Sequence, residues 1–298
     1  MLPRSSKEAS NEASNEATIT NRQPWDEAAN GWNRHAALTR TWLKEATAAM
    51  LNAAHIAPGA RVLDIAAGSG DQTLDIARRI GANGHLLATD ISTSILALAR
   101  ENFHAAGLHH VHTRMADAQA LGLAGANFDA AVCRLGLMFC LDPLAALVQA
   151  RMALKPGGRF SALVFSTAEK NPCLSITMDT ARKHAGIAKQ STTQPGTLLS
   201  LGEPGLLERL LHAAGFAKIN LHPLSAPFRL SSSAQYVDFL RCAASPIMEM
   251  MTLLSNEAEL NAWNDIEKQL NVFNTDSGWE GPNELLLCAA AAPSDNKM

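Results

Sequence analysis

The sequence predicts an α/β fold: a seven-stranded, mostly parallel sheet with helices on both faces and added helical lid segments. Two observations carry this. Short apolar runs alternate with stretches of helical periodicity from residue 61 to 165, an order that builds a parallel sheet covered by helices through right-handed crossovers. The first apolar run also passes through a turn of small residues straight into a helical stretch, over Val62 to Thr73, and in such sheets ligands sit beyond the strands' carboxyl ends. At 298 residues and 47% hydrophobic content, one core with lid-like additions suits the chain better than two full domains.

Taken in order, residues 1–22 contain a tandem of Glu8-Ala9-Ser10-Asn11, Glu12-Ala13-Ser14-Asn15 and Glu16-Ala17. It offers no apolar face and stacks like charges at a period of four, so a disordered tail is expected. From Trp25 to about Ala54 apolar residues recur at spacings of three and four, predicting helix closed by Pro58-Gly59. This segment holds Trp25, Trp32 and Trp42, which either pack on the main domain or line a pocket. Strands follow at 61–66, 85–89, 110–115, 128–133 and 159–165, with helices at 71–80, 93–106 and 143–153 between them. Gly157-Gly158 reads as a plain turn. A helix at 204–214 ends at Gly215 and leads to a strand near 216–221. Ser231–Ser233 can cap a helix running to Cys242. An amphipathic stretch from Pro246 to about Phe273 precedes a last strand at 284–291.

The residues suited to chemistry collect at the strand ends. Gly68 and Gly70 let a ligand approach the backbone, and the helix after them offers free N–H groups. Dinucleotide enzymes use a similar turn, but their G-x-G-x-x-G/A fingerprint wants a small residue where this chain has Thr73. Asp90 ends the second strand about 20 residues past the turn, placed to accept hydrogen bonds from both ribose hydroxyls of an adenosine. Its alternative role is to cap the helix beginning near Thr93. Asp117 suits an adenine amino group and the Ala118 N–H a ring nitrogen, unless Asp117 serves only its turn.

Six ordered motifs, Leu63-Asp64-Ile65-Ala66-Ala67-Gly68-Ser69-Gly70-Asp71-Gln72-Thr73, Ala88-Thr89-Asp90-Ile91-Ser92, Ala116-Asp117-Ala118-Gln119-Ala120-Leu121, Phe128-Asp129, Gly136-Leu137 and Leu154-Lys155-Pro156-Gly157-Gly158-Arg159, carry a resemblance. Residues 62–165 resemble the ubiquinone/menaquinone biosynthesis C-methyltransferase group within class I S-adenosylmethionine methyltransferases. The resemblance implies a Rossmann-like fold and S-adenosyl-L-methionine as cofactor, bound by Asp64, Gly68, Gly70, Thr73, Asp90, Ile91, Asp117, Ala118 and Arg134. It implies Thr73 beside the methionine end, Asp90 on the ribose, Ile91 on the adenine face, Asp117 and Ala118 framing the adenine, and Arg134 near the sulfonium. Two positions depart from the pattern: Ala66 stands where a glycine is usual, and Arg134 where the quinone enzymes have a small polar residue. A quinone acceptor therefore does not follow. The implied organisation is one methyltransferase domain over 23–298, with an N-terminal helical lid at 24–58, a cofactor-binding core at 60–165, and helical insertions for substrate at 167–195 and 231–280.

Composition narrows the partners. A net charge of −3 gives no basic field for a nucleic acid backbone. Cys133, Cys140, Cys173, Cys242 and Cys288 are odd in number and lack a C-x-x-C pair, which suits reduced, buried thiols. No apolar run approaches the roughly 20 residues of a membrane span. The N-terminus lacks a secretory apolar stretch and is rich in glutamate, so a cytoplasmic location is expected. His104, His109, His110 and His112 lack ligand partners at metal spacing, and no metal is expected.

The expected function is methyl transfer from S-adenosyl-L-methionine to a small hydrophobic or aromatic acceptor, enclosed by Trp25, Trp32, Phe239, Met248 and Met250. His35, His184 and Tyr236 are the candidate bases, and none is assigned as catalytic. An NAD(P)-dependent oxidoreductase is the enzyme alternative, disfavoured by Thr73 and the Asp117-Ala118 pair. A cofactor-binding but inactive regulatory protein is the other.

Overall fold

A computed structural model describes residues 22–188, 191 and 194–294. The tail expected at 1–22 lies outside them except for Arg22, which stands in the first described helix. That helix, α1, covers 22–34, and α2 follows as Ala36–Ala53. The core alternates as expected: β1 (Arg61–Ile65), α3 (Asp71–Ile80), β2 (His85–Asp90), α4 (Thr93–Ala105), β3 (Val111–Met115), β4 (Phe128–Arg134), α5 (Pro143–Ala153) and β5 (Leu154–Phe165). Beyond it come α6 (Pro172–His184), α7 (Leu206–Ala213), β6 (Ala217–Ser225), β7 (Phe228–Leu230), α8 (Ser233–Ala243), α9 (Ser245–Met251), α10 (Asn256–Leu270), β8 (Asn274–Thr275), β9 (Gly278–Gly281) and β10 (Glu284–Ala291).

The main sheet has seven strands in the order β3-β2-β1-β4-β5-β10-β6. β1 pairs in parallel with β2 and β4, and β10 runs antiparallel between β5 and β6. Val62 to Ile65 are buried on both faces, which is why that strand reads as an apolar run, interrupted by Asp64, instead of an alternation. Register fixes the site: Ile65 lies level with Thr89 on one side and Cys133 on the other. The residues that follow those three positions therefore leave the sheet at one edge. Helix starts obey local chemistry, with Ser92 accepting from the Ile95 N–H, and Asp142 from the Ala145 N–H ahead of Pro143.

Three expectations shift. β5 begins at Leu154 and passes through Pro156-Gly157-Gly158, with an irregularity in its pairing to β4 between Phe128 and Ala130. β6 runs to Ser225 because its pairing with β10 continues to Ser225 opposite Glu284, with an irregularity between Ala289 and Ala291. The stretch 231–280 is not wholly helical: the expected long helix breaks at Ser255, which caps α10 by accepting from the Ala258 N–H. β8 and β9 then join β7 in a second, three-stranded sheet.

Candidate functional site

The loop after β1 is shaped by side chains behind it. Asp64 is fully buried and accepts from Gln72 Nε2 at 2.6 Å and Thr73 Oγ1 at 2.6 Å, tying the strand to the first turn of α3. Burial pushes its carboxyl up to about 6, against the pull of those two donors. Gly68 has a left-handed φ of 59°, and a Cβ there would meet no atom within 4 Å. Its half-buried backbone, on the cavity wall, is a place where a ligand can lie close. At Gly70 the reason for glycine is different, because a Cβ would sit 2.3 Å from the Phe103 ring. Ala66, the departure from glycine, holds φ at 54°, and its methyl occupies the space that a side chain at Gly136 would need, 2.4 Å away.

Asp90 stands at the end of β2. Its carboxylate accepts from the Gly68 N–H at 2.9 Å and the Ser92 N–H at 3.0 Å, while burial drives its pKa upward against those donors. Ser92, and not Asp90, caps α4. Asp117 does serve its turn, accepting from the Gln119 N–H at 2.9 Å and from the Gln119 side-chain amide. Arg134 leaves β4 almost fully enclosed, donating to Asp71 Oδ2 at 2.8 Å and Thr47 Oγ1 at 2.9 Å. The second oxygen of Asp71 takes Arg40 Nε at 2.7 Å.

These groups border one cavity, the concave and largely apolar setting usual for small-molecule sites. Gly68, Asp90, Ile91, Asp117, Ala118 and Arg134 line it; Asp64, Gly70 and Thr73 do not reach it. Thr73 is completely buried with its hydroxyl committed to Asp64, so its side chain stands behind the loop and does not border the cavity.

The cover comes from the N-terminal helices. Trp25, Trp32, Ala36, Thr39 and Leu43 complete the cavity wall, and Trp25 meets Phe139 edge to face at 4.6 Å. Trp42 belongs to a separate stack, 3.9 Å from Phe228, with its Nε1 donating to the Ala226 carbonyl. Among the described residues, none from 167–195 or 231–280 lines this cavity. The second of these stretches braces the cover: Trp32 packs edge to face on Phe239, and Ser245 Oγ donates to the Pro24 carbonyl. Asp26 fastens α1 to the core by accepting from Ser92 Oγ at 2.5 Å and the Ser94 N–H at 3.1 Å. Asp26 lies in none of the quoted motifs, and Asp71, though part of the first, gives no sign there of its pairing, since each works through a partner distant in sequence.

The candidate bases lie elsewhere. His35 packs on Phe239, His184 pairs with Asp265 at 3.1 Å, and Tyr236 is enclosed against Trp279 and Phe228; none of the three borders the cavity.

With this geometry in place, comparison with known proteins is informative. The sequence model of the ubiE/COQ5 methyltransferase family matches residues 37–184. A ubiquinone/menaquinone biosynthesis C-methyltransferase of Teredinibacter turnerae is 40% identical over 112 residues, 37% of this chain and 45% of that protein. The counterpart from Bordetella parapertussis is 36% identical over 45% of this chain and 50% of that protein, so the chain spans about half the length of these curated relatives. The Klebsiella pneumoniae counterpart is 32% identical over 56% of this chain and 70% of its own length. Among solved structures, Haemonchus contortus phosphoethanolamine N-methyltransferase 2 in complex with S-adenosylhomocysteine superposes with a TM-score of 0.56 at 17% identity, covering 88% of this chain and 58% of that one. The [4+2]-cyclase SpnF superposes with a TM-score of 0.55 at 17% identity, covering 91% and 97%. At such identity these two speak to fold alone.

Proposed function

The chain belongs to the ubiE/COQ5 methyltransferase family, and on that premise we propose that it transfers a methyl group from S-adenosyl-L-methionine to a small hydrophobic or aromatic acceptor. The observation that carries the reading is the buried Asp90 carboxylate, held beside the open backbone of Gly68 in one cavity with Asp117. Asp90 takes the ribose hydroxyls, Ile91 packs on the adenine, and Asp117 and Ala118 frame it. Gly68 lets the amino-acid portion lie against the loop, which Asp64, Gly70 and Thr73 shape from behind. Arg134 borders the position from which the methyl leaves.

When bound, the cofactor supplies an electrophilic methyl on a sulfonium. The chain's own part is to hold the acceptor in line and exclude water. Positioning of this kind is worth up to about 7–11 kcal/mol. Trp25, Trp32 and Phe139 provide the apolar wall for the acceptor, and no side chain is assigned as a base. A dinucleotide is disfavoured by the threonine at position 73, where that fingerprint needs a small residue for close helix packing.

Calorimetry with S-adenosylmethionine, S-adenosylhomocysteine and NADH tests the reading. Binding of the first two is expected, and binding of NADH alone would overturn it. Incubating the protein with methyl-labelled cofactor and a cell extract then tests turnover; binding without any labelled metabolite would favour a regulatory protein.

A further inference from the structure

The side chain of Arg134 is out of keeping with an otherwise apolar acceptor wall. It sits on the cavity with 7% of its surface exposed, clamped by Thr47 and Asp71. Asp71 cannot neutralise it alone, because the same carboxylate also pairs with Arg40. Two guanidinium groups share the one Asp71 carboxylate, and the buried Asp64 carboxylate behind the loop also acts electrostatically on Arg134. Only two of the Arg134 N–H donors have acceptors among the described residues, and the guanidinium keeps further donors for a ligand. The other carboxylates on the cavity, Asp90 and Asp117, are engaged by Gly68, Ser92 and Gln119. Trp25 and Phe139, packed edge to face with ring centroids 4.6 Å apart, line the same cavity.

From this juxtaposition we propose that Arg134 is a specificity-determining residue that selects an aromatic acceptor bearing a carboxylate. The inference rests on the cavity being the site of methyl transfer. Thr47 and Asp71 hold the guanidinium in one orientation, so a planar anion meets a preorganised planar donor. Arg40 acts through Asp71 as a positioning residue, since without it Asp71 would cancel the charge of Arg134.

The test uses 2-naphthoate and its uncharged analogue 2-naphthamide as probes, titrated by calorimetry into the protein with and without saturating S-adenosylhomocysteine. A charge-assisted bond predicts that naphthoate binds at least about tenfold more tightly than naphthamide. Arg134→Gln is expected to bring the two probes to near equality, and Arg40→Gln to an intermediate ratio, a change in selectivity that a structural role alone would not give. Circular dichroism establishes that each variant is folded; should Arg134→Gln not fold, the Arg40→Gln ratio decides. Equal binding of the probes, binding of neither, or a preference that survives the substitutions overturns the proposal. Failure of S-adenosylhomocysteine to bind overturns the cofactor reading instead, and the selectivity of the cofactor-free protein is judged separately.

Discussion

The carboxylate of Asp90 accepts the backbone N–H of Gly68 at 2.9 Å, so the end of one strand and the glycine loop of its neighbour form a single preorganised unit. Asp90 thereby sets the loop's shape while keeping lone pairs for a diol. Asp90→Ala removes a charged acceptor from two ribose hydroxyls and orphans two backbone donors. Each such bond is worth about 1.5–3 kcal/mol, which predicts S-adenosylhomocysteine binding at least about tenfold weaker. Calorimetry on the folded variant checks this, and an unchanged dissociation constant would remove the assignment of the ribose to β2.

Much of this site can be read in the sequence because its chemistry is local. Gly68 and Asp90 each follow an apolar run within a residue or two, and the small-residue turn marks its own strand end. Arg134 was legible as a departure, but its partner Asp71 lies 63 positions away, and nothing in the spacing of either residue records the pairing. Asp26 and Ser92 are 66 apart, and the same holds for them. β7, β8 and β9 contain three, two and four residues, too few to show an alternation. The N-terminal lid shows in its tryptophans, whereas the apolar stripes of α8 and α10 announce burial without saying against what; one partner of α8 is α1, through Trp32 and Phe239.

Asp64 gives a pH prediction with a definite sign. Its folded pKa is raised from 3.8 to about 6 by burial, so the folded state favours the protonated form. The stability it contributes is fully present below about 4 and is lost as pH rises through about 6. Asp64→Asn stays neutral, and its amide can accept from Gln72 and donate to the Thr73 hydroxyl. This variant should exceed the parent in stability at pH 8, by no more than about 3 kcal/mol at roughly 1.4 kcal/mol per pKa unit, with the difference closing toward pH 4. Urea midpoints across that range measure it; a variant less stable than the parent at pH 8 sinks the argument.

Ala66 and Gly136 should be coupled. A methyl added at 136 would stand 2.4 Å from the Ala66 Cβ, 3.2 Å from Cys133 Sγ and 3.8 Å from the Ala66 Cα, so Gly136→Ala overpacks chiefly against the Ala66 side chain, with Cys133 Sγ a lesser contact. The expected cost is about 1–3 kcal/mol. Ala66→Gly alone relieves a left-handed alanine, about 1–2 kcal/mol, and gives back roughly 0.5–1 in chain entropy, so it should lie near neutral. In that background Gly136→Ala should cost less than about 1 kcal/mol. Additive effects in the double-mutant cycle would show that the two positions do not share this space.

Asp26 tests whether α1 is a cover that must release for ligand exchange. Its carboxylate joins α1 to the start of α4 through Ser92 and Ser94, and Ser92 also donates its N–H to Asp90. The fastening of the cover and the grip on the ribose thus meet on one residue. Burial alone would raise the Asp26 pKa, but the bonds from Ser92 and Ser94 hold it below the usual value, so the latch is charged at neutral pH. Asp26→Ala leaves α1 secured by Ser245 on Pro24 and by Trp32 on Phe239, and the protein should stay folded. Losing a partly exposed, charge-assisted latch of about 1–2 kcal/mol should speed backbone hydrogen exchange in residues 22–34. It should also raise the dissociation rate of S-adenosylhomocysteine by about tenfold, with little change in its association rate. If exchange in 22–34 and the dissociation rate both match the parent, α1 is a fixed wall and ligand enters by another route.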